Sequence, residues 1–263
     1  MAVYTKLSDN ELKELFSKYN LGEILNYKEI KEGIENTNYF IKTEKGKFIL
    51  TLYEKRVEEE DLPFFIGLMK NLFDQKFPTP EPVINKNGNY ISEINGKKAA
   101  VVSFLKGSAK KVLNPNDCFE VGLYTGKLHI ITKNLSGKRE NKLSINSWEN
   151  IYSKVKNDCA KIHPNLTKII EKNLELIKNK WPKDLPSGII HADLFPDNIF
   201  FHNGKLTGII DYYFSCNDFY AFEIAICLNA LCFEGKNENL SFNVTKAKKF
   251  IDGYSSIRKL NDI

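Results

Sequence analysis

A chain of 263 residues with 42% hydrophobic residues is long enough to bury a sizeable core, and its length fits one or two domains. The net charge of +5 comes from lysines scattered among acidic residues, with no basic stripe or interleaved aromatics, which argues against a nucleic-acid partner. No apolar run reaches the length of a membrane span, the opening Met1-Ala-Val-Tyr-Thr-Lys6 lacks a signal-peptide core, and Cys118, Cys159, Cys216, Cys227 and Cys232 form no Cys-x-x-Cys pair; a cytoplasmic protein with reduced thiols and no membrane partner is expected.

Ser8-Asp-Asn-Glu11 is a capping-box signature, and Leu12, Leu15, Phe16 and Tyr19 follow at helical spacing, so the chain opens with a short helix. Residues 25–53 turn strand-like, broken at Gly33 and Gly46, with a hairpin over 38–43 and 47–53. A helix over 62–73, the run Pro78-Thr-Pro80-Glu-Pro82 and strands near 89–94 and 98–105 complete a small α+β lobe. The polar, turn-rich stretch 107–116 marks the boundary, giving lobes over 1–106 and 107–263. Helical patterns dominate beyond it. Gly122 and Gly126, four apart in a helix ending near His129, predict close approach by a second helix, with His129 structural. Ile169, Ile170, Leu174 and Ile177 mark an amphipathic helix that stops before Trp181-Pro182, and residues 220–231 form a nearly all-apolar helix expected in the core.

The chemistry-bearing stretch is His191-Ala-Asp193-Leu-Phe-Pro-Asp-Asn198, followed by Ile-Ile-Asp211. Residues 199–202 and 205–210 are β-rich runs joined by Asn203-Gly204, a strong two-residue hairpin signal. Pairing around that turn sets Phe201 against Leu206 and Asn198 opposite Ile209, which brings Asn198 and Asp211 together. An amide oxygen and a carboxylate are hard ligands suited to Mg²⁺, with phosphates and water completing the shell. Asp193 stands just before the strand, in a loop stiffened by Pro196, and suits a base facing a substrate hydroxyl. Singly, these residues read as a loop cap and a strand end. Jointly they read as a phosphoryl-transfer site.

A small α+β lobe, a hinge and a helical lobe carrying His191-x-Asp193-x4-Asn198 with Asp211 resembles the aminoglycoside phosphotransferase-like branch of the bilobal protein-kinase fold, an α+β class. The stretches Glu32-Gly-Ile-Glu-Asn-Thr-Asn-Tyr39, Phe48-Ile-Leu-Thr-Leu-Tyr-Glu-Lys-Arg56, Asp61-Leu-Pro-Phe-Phe65 and Ala225-Ile-Cys-Leu-Asn-Ala-Leu-Cys-Phe-Glu234 are similar to those of bacterial homoserine kinases of this fold. The resemblance implies ATP and Mg²⁺ as cofactors and L-homoserine as acceptor. It also implies Asp193 as base with His191 and Asn198 in the catalytic loop, and Asn198 and Asp211 on the metal. Gly33, Asn36, Thr37 and Asn38 would lie near the phosphates, with Ser103, Phe104 and Leu105 as the hinge that reads adenine. Kinases of another small alcohol (choline, a sugar, an aminoglycoside) and a pseudokinase binding module are the rival readings.

One departure from the kinase pattern stands out. The lysine expected on the third strand is replaced by Thr51, leaving Lys42 or Lys55 as substitutes and Glu58-Glu59-Glu60 as a charged helix entrance. The acceptor carboxylate calls for a guanidinium. Arginine occurs only at 56, 139 and 258, and Arg139, in a polar loop, is the candidate. Tyr212 and Asp218, in the aromatic, lightly acidic segment after Asp211, are the other expected acceptor contacts.

Overall fold

The computed structural model describes residues 4–31, 36–54, 57–235 and 239–260. The first helix, α1 (Asp9–Ser17), begins on a reciprocal cap: the Glu11 N–H donates to Ser8 Oγ, and the Ser8 N–H donates to the Glu11 carboxylate. Next come β1 (Ile24–Ile30), β2 (Thr37–Thr43), β3 (Gly46–Leu52), α2 (Leu62–Asp74), β4 (Ile91–Ile94) and β5 (Lys97–Ser103). The five strands form one antiparallel sheet in the order β1-β2-β3-β5-β4. Alternation along the strands sorts its two faces. Tyr39, Ile41, Leu50, Leu52 and Val101 are buried with Leu12, Leu15 and Phe16 of α1, while Asn38, Phe40, Ile49 and Thr51 line the opposite face.

The remaining elements are β6 (Ser108–Ala109), α3 (Pro115–Ile131), α4 (Ile145–Ile162), α5 (Leu166–Lys180), β7 (Ser187–Ile190), β8 (Ile199–His202), β9 (Lys205–Ile209), β10 (Cys216–Phe219), α6 (Tyr220–Cys232), β11 (Phe233–Glu234), β12 (Ser241–Phe242) and α7 (Val244–Ile257). β6 pairs with β8, which pairs with β9, and β7 pairs with β10. The larger core gathers Phe65, Ile66 and Leu72 of α2, Val121 and Leu128 of α3, Ile199, Ile209 and Tyr212 from the hairpin region, and Phe250 of α7. Each such side chain contributes about 1.5–3 kcal/mol on burial.

The glycine spacing in α3 does what it predicted. A Cβ at Gly122 would stand 2.0 Å from the Phe250 carbonyl oxygen, and one at Gly253 of α7 would stand 2.0 Å from that of Phe119, so these helices touch backbone to backbone. The apolar α6 departs from expectation. It buries Tyr220, Glu223, Cys227, Leu231 and Cys232, yet Ala221 and Ala225 on its far side are exposed. All five cysteines are free and buried. Among the described residues no helix is long and apolar enough to cross a membrane.

Candidate active site

Asn203 (φ 50°) and Gly204 (φ 76°) both take the left-handed conformation that a two-residue hairpin turn requires. Phe201 pairs with Leu206 and His202 with Lys205, as the turn dictates. The ladder then shifts: Phe200 pairs with Gly208 and Ile199 with Ile209, leaving Thr207 as the extra residue of a bulge. Ile199, and not Asn198, therefore faces Ile209. Thr207 anchors the bulge by donating to the carbonyl of Lys106 at 2.7 Å. One step further, the Ile210 N–H donates to the Asn198 carbonyl at 3.1 Å, which sets Asp211 beside Asn198 across the hairpin mouth.

Asn198 is buried, and its amide is held on one side only. Nδ2 donates to the Asp193 carbonyl and to Asp193 Oδ2, both at 2.9 Å. With its N–H donors used, the amide has Oδ1 as the atom able to take a cation, while the same contact fixes the plane of the Asp193 carboxylate. Asp211 sits in the left-handed region (φ 66°, ψ 67°), a conformation Asp tolerates better than most residues. One amide oxygen and one carboxylate suit a divalent cation that draws its other ligands from phosphate and water. Among the described residues no group of three or more His, Cys, Asp or Glu is placed to hold a metal ion.

His191 is fully buried, with both ring nitrogens engaged by the backbone. Its Nδ1 accepts the Asp193 N–H at 3.2 Å and its Nε2–H donates to the Ile210 carbonyl at 3.0 Å, which fixes the tautomer. Burial lowers its pKa, so the ring is neutral. It bridges the Asp193 loop to the residue before Asp211.

Glu223 was not anticipated. This wholly buried carboxylate on α6 accepts the N–H groups of His191 and of Ala192, the latter at 3.2 Å, and Ala192 is itself left-handed at φ 64°. A strained peptide next to Asp193 is thus held by two bonds to one carboxylate. The signal was present in the sequence: a lone carboxylate within an otherwise apolar run.

The expected acceptor residues separate. Tyr212 is wholly buried against the His191 ring (centroids 4.9 Å) and cannot touch an acceptor. Arg139 is committed elsewhere: Nε donates to Asp61 Oδ2 at 2.7 Å, Nη1 donates to the Ser215 carbonyl at 3.1 Å, and the guanidinium lies 4.8 Å from the Phe65 ring centre. It binds the start of α2 to the segment after Asp211, and a bidentate clamp on a free carboxylate would have to displace Asp61. Asp218 stays half-exposed on β10, accepting from Asn141 Nδ2 at 2.6 Å, so Asn141 joins it at this edge.

On the nucleotide side, Gly33 and Lys55 lie outside the described residues. The Asn36 Oδ1 accepts the Glu54 N–H, and the buried Thr37 hydroxyl accepts the Tyr4 and Thr5 N–H groups and donates to Glu54. The Thr37 hydroxyl is thus spent on internal bonds, which corrects its placement at the phosphates, while Asn36 commits only its Oδ1. Asn38 lies on the opposite, cleft-side face, where its Oδ1 accepts from Thr51 at 2.7 Å. Ser103 exchanges bonds with Glu81, and the Phe104 N–H donates to the Lys47 carbonyl at 3.0 Å, so neither N–H can read adenine. Phe104 instead offers a ring, 41% exposed and edge-on to Phe40. Leu105 packs on Gly208, where an added Cβ would lie 2.5 Å from its Cδ1. Lys42 is exposed on β2.

An antiparallel sheet joined to a mainly helical part, with Asn198 bonded to Asp193 and paired through Ile210 with the segment that carries Asp211, has the architecture of the protein-kinase fold. The model of the phosphotransferase enzyme family (APH) matches residues 26–258, and the chain belongs to that family. A homoserine kinase from Beijerinckia indica subsp. indica is 45% identical over 260 residues, covering 99% of this chain and 80% of the relative. One from Allorhizobium ampelinum is 43% identical over 261 residues, with coverage of 99% and 80%. Among solved structures, an amicoumacin kinase in complex with AMP-PNP, Ca²⁺ and Ami superposes with a TM-score of 0.73 at 16% identity, covering 97% of this chain and 79% of that one, which shows the shared fold.

Proposed function

We propose that this chain transfers the γ-phosphoryl group of ATP to the side-chain hydroxyl of L-homoserine, with Mg²⁺, in the cytoplasm. The observation that carries the chemistry is the Asn198 amide, fastened to Asp193 by its nitrogen and next to Asp211 through the Ile210 bond. The choice of homoserine is supported by whole-chain relatives of that name at 42–45% identity.

In this reading, residues 1–106 bind the nucleotide and 107–263 supply catalysis and the acceptor site. Asp193 accepts the acceptor's hydroxyl proton, with its carboxylate held in plane by Asn198. His191 and Glu223 keep its backbone in place. Asn198 Oδ1 and Asp211 hold Mg²⁺, which when bound neutralises charge on the phosphate oxygens. Asn38 faces the phosphates, and Phe104 with Leu105 borders the adenine. Asp218, supported by Asn141, meets the acceptor's ammonium; a carboxylate's four lone-pair positions leave room for it beside the Asn141 bond.

A coupled ADP-release screen across homoserine, serine, threonine, choline and aminoglycosides tests this, run beside Asp193→Asn. Homoserine should give the highest kcat/KM, and the variant should lose at least about 10²-fold in kcat with nucleotide binding retained. Faster turnover of another acceptor would overturn the substrate assignment. Near-normal turnover in the variant would overturn Asp193 as base.

A further inference from the structure

The stretch Asp61-Leu-Pro-Phe-Phe65 takes no part in the chemistry above, and its first residue is placed unusually. Asp61 stands at the N-cap position of α2, where an aspartate ordinarily accepts the N–H of the second or third helical residue, yet its side chain makes no cap bond. It turns instead to Arg139, whose Nε donates to Asp61 Oδ2 at 2.7 Å, with Lys142 Nζ 3.6 Å from the same oxygen. The Asp61 and Arg139 side chains are only 21% and 15% exposed, so solvent screens this pair less than a surface one. The guanidinium lies over Phe65, and a Cβ at Gly137 would stand 3.5 Å from Phe64 Cδ2, so the loop runs along the first turn of α2.

The other side of the loop is fastened to β10. The Arg139 N–H donates to Asn217 Oδ1 at 2.8 Å, the Asn217 N–H donates back to the Arg139 carbonyl at 2.7 Å, and Arg139 Nη1 donates to the Ser215 carbonyl. Two residues on, Asn141 is held in one orientation: its Oδ1 accepts the Leu143 N–H at 2.8 Å and its Nδ2 donates to Asp218 Oδ2. One arginine therefore reaches from the entrance of α2 to the strand that carries Asp218.

We propose that Arg139 is a positioning residue: paired with Asp61, it braces the Asn141–Asp218 edge against α2 and so sets the affinity for an acceptor that carries an ammonium group. The proposal rests on the reading above that Asp218 meets that ammonium. An arginine that bound the acceptor directly would gain from release by Asp61, whereas a brace fails when either partner is lost, and neutralising Asp61 separates the two.

The test is steady-state kinetics with L-homoserine, alongside calorimetric titration of AMP-PNP, for the wild type, Asp61→Asn, Arg139→Gln, the double variant and Asp218→Asn. Asp61→Asn should raise the homoserine KM about five- to tenfold, between the worth of an exposed ion pair and that of a buried charged hydrogen bond, while AMP-PNP affinity stays within about twofold. Arg139→Gln should raise that KM at least as much, and the double variant no more than Arg139→Gln alone, because the two side chains act as one contact. Asp61→Asn removes a charge without removing bulk, so it decides the matter even where Arg139→Gln does not fold. A homoserine KM unchanged or lowered in Asp61→Asn, a rise matched by an equal loss of nucleotide affinity, or losses that multiply in the double variant would overturn the brace. Absent turnover of homoserine by the wild type, or an unaltered homoserine KM in Asp218→Asn, would overturn the reading of the acceptor edge, and the proposal with it.

Discussion

The pair α3–α7 and the pair α4–α5 sit in the same lobe and read alike in sequence as helices with recurrent apolar residues, yet they are used in opposite ways. α3 and α7 meet at Gly122, Gly126 and Gly253, with Val121, Leu128, Phe250 and Tyr254 buried around the contact. α4 buries only Cys159, and α5 buries no residue fully. Ile151, Val155 and Ile162 of α4 and Ile169 and Leu176 of α5 remain exposed, Ile162 by 79%. Apolar periodicity is enough to make a helix. Backbone contact needs residues without a Cβ at the crossing, and those glycines decide which helix becomes core.

The largest expected effect comes from filling that crossing. Gly122→Val would drive a branched side chain into the Phe250 carbonyl, and a loss of about 3 kcal/mol or more is expected, at the top of the overpacking range. Urea denaturation measures it; a loss under about 1 kcal/mol would mean that α3 and α7 are no tighter than α4 and α5.

Acid should then act on the α3 side of the comparison. His129 lies between Tyr254 of α7, at 2.8 Å, and Glu223, at 3.9 Å, and burial lowers its pKa as it does that of His191. The unfolded chain therefore takes up these protons at higher pH than the folded one, so stability is complete above about pH 6.5 and declines as pH falls below it. Each pKa unit of depression is worth about 1.4 kcal/mol, or roughly 2–4 °C in Tm for a chain of this size. Melting curves from pH 7.5 to 5.0 check the direction, and a flat Tm across that window would refute it. The smallest effect belongs to the exposed pair: Val155→Ser and Leu176→Ser should each shift stability by less than about 0.5 kcal/mol. A larger loss from either would show that the α4–α5 surface is covered in solution.

The contact between Asp193 and Asn198 and the hairpin that leads to Asp211 were legible because three unlike residues at fixed spacing, with a strong turn signal between them and Asp211, leave few other arrangements. The Asn203-Gly204 turn was legible for the same reason. The bulge at Thr207 was not, since one unpaired residue alters the register without disturbing the run of β-formers around it. Arg139 was singled out by residue type, but its partner Asp61 is 78 positions away and leaves no local mark. Tyr212 failed for a related reason, because aromatic residues serve a core and a binding surface equally well. Thr37 and Asn38 are neighbours with similar chemistry, and only strand alternation, one residue apart, sends one inward to Glu54 and the other to the cleft.

The left-handed backbone at Asp211 also limits how this protein can lose its activity by descent. Glycine, asparagine and aspartate are the residues that take such a conformation readily. Glycine would keep the bend and discard the ligand. Glutamate would keep a carboxylate but meet both the backbone cost and an extra methylene. Asparagine alone preserves the backbone and an oxygen while removing the charge. On the reading that Asp211 holds the cation, that one substitution would leave a folded descendant lacking the charged ligand.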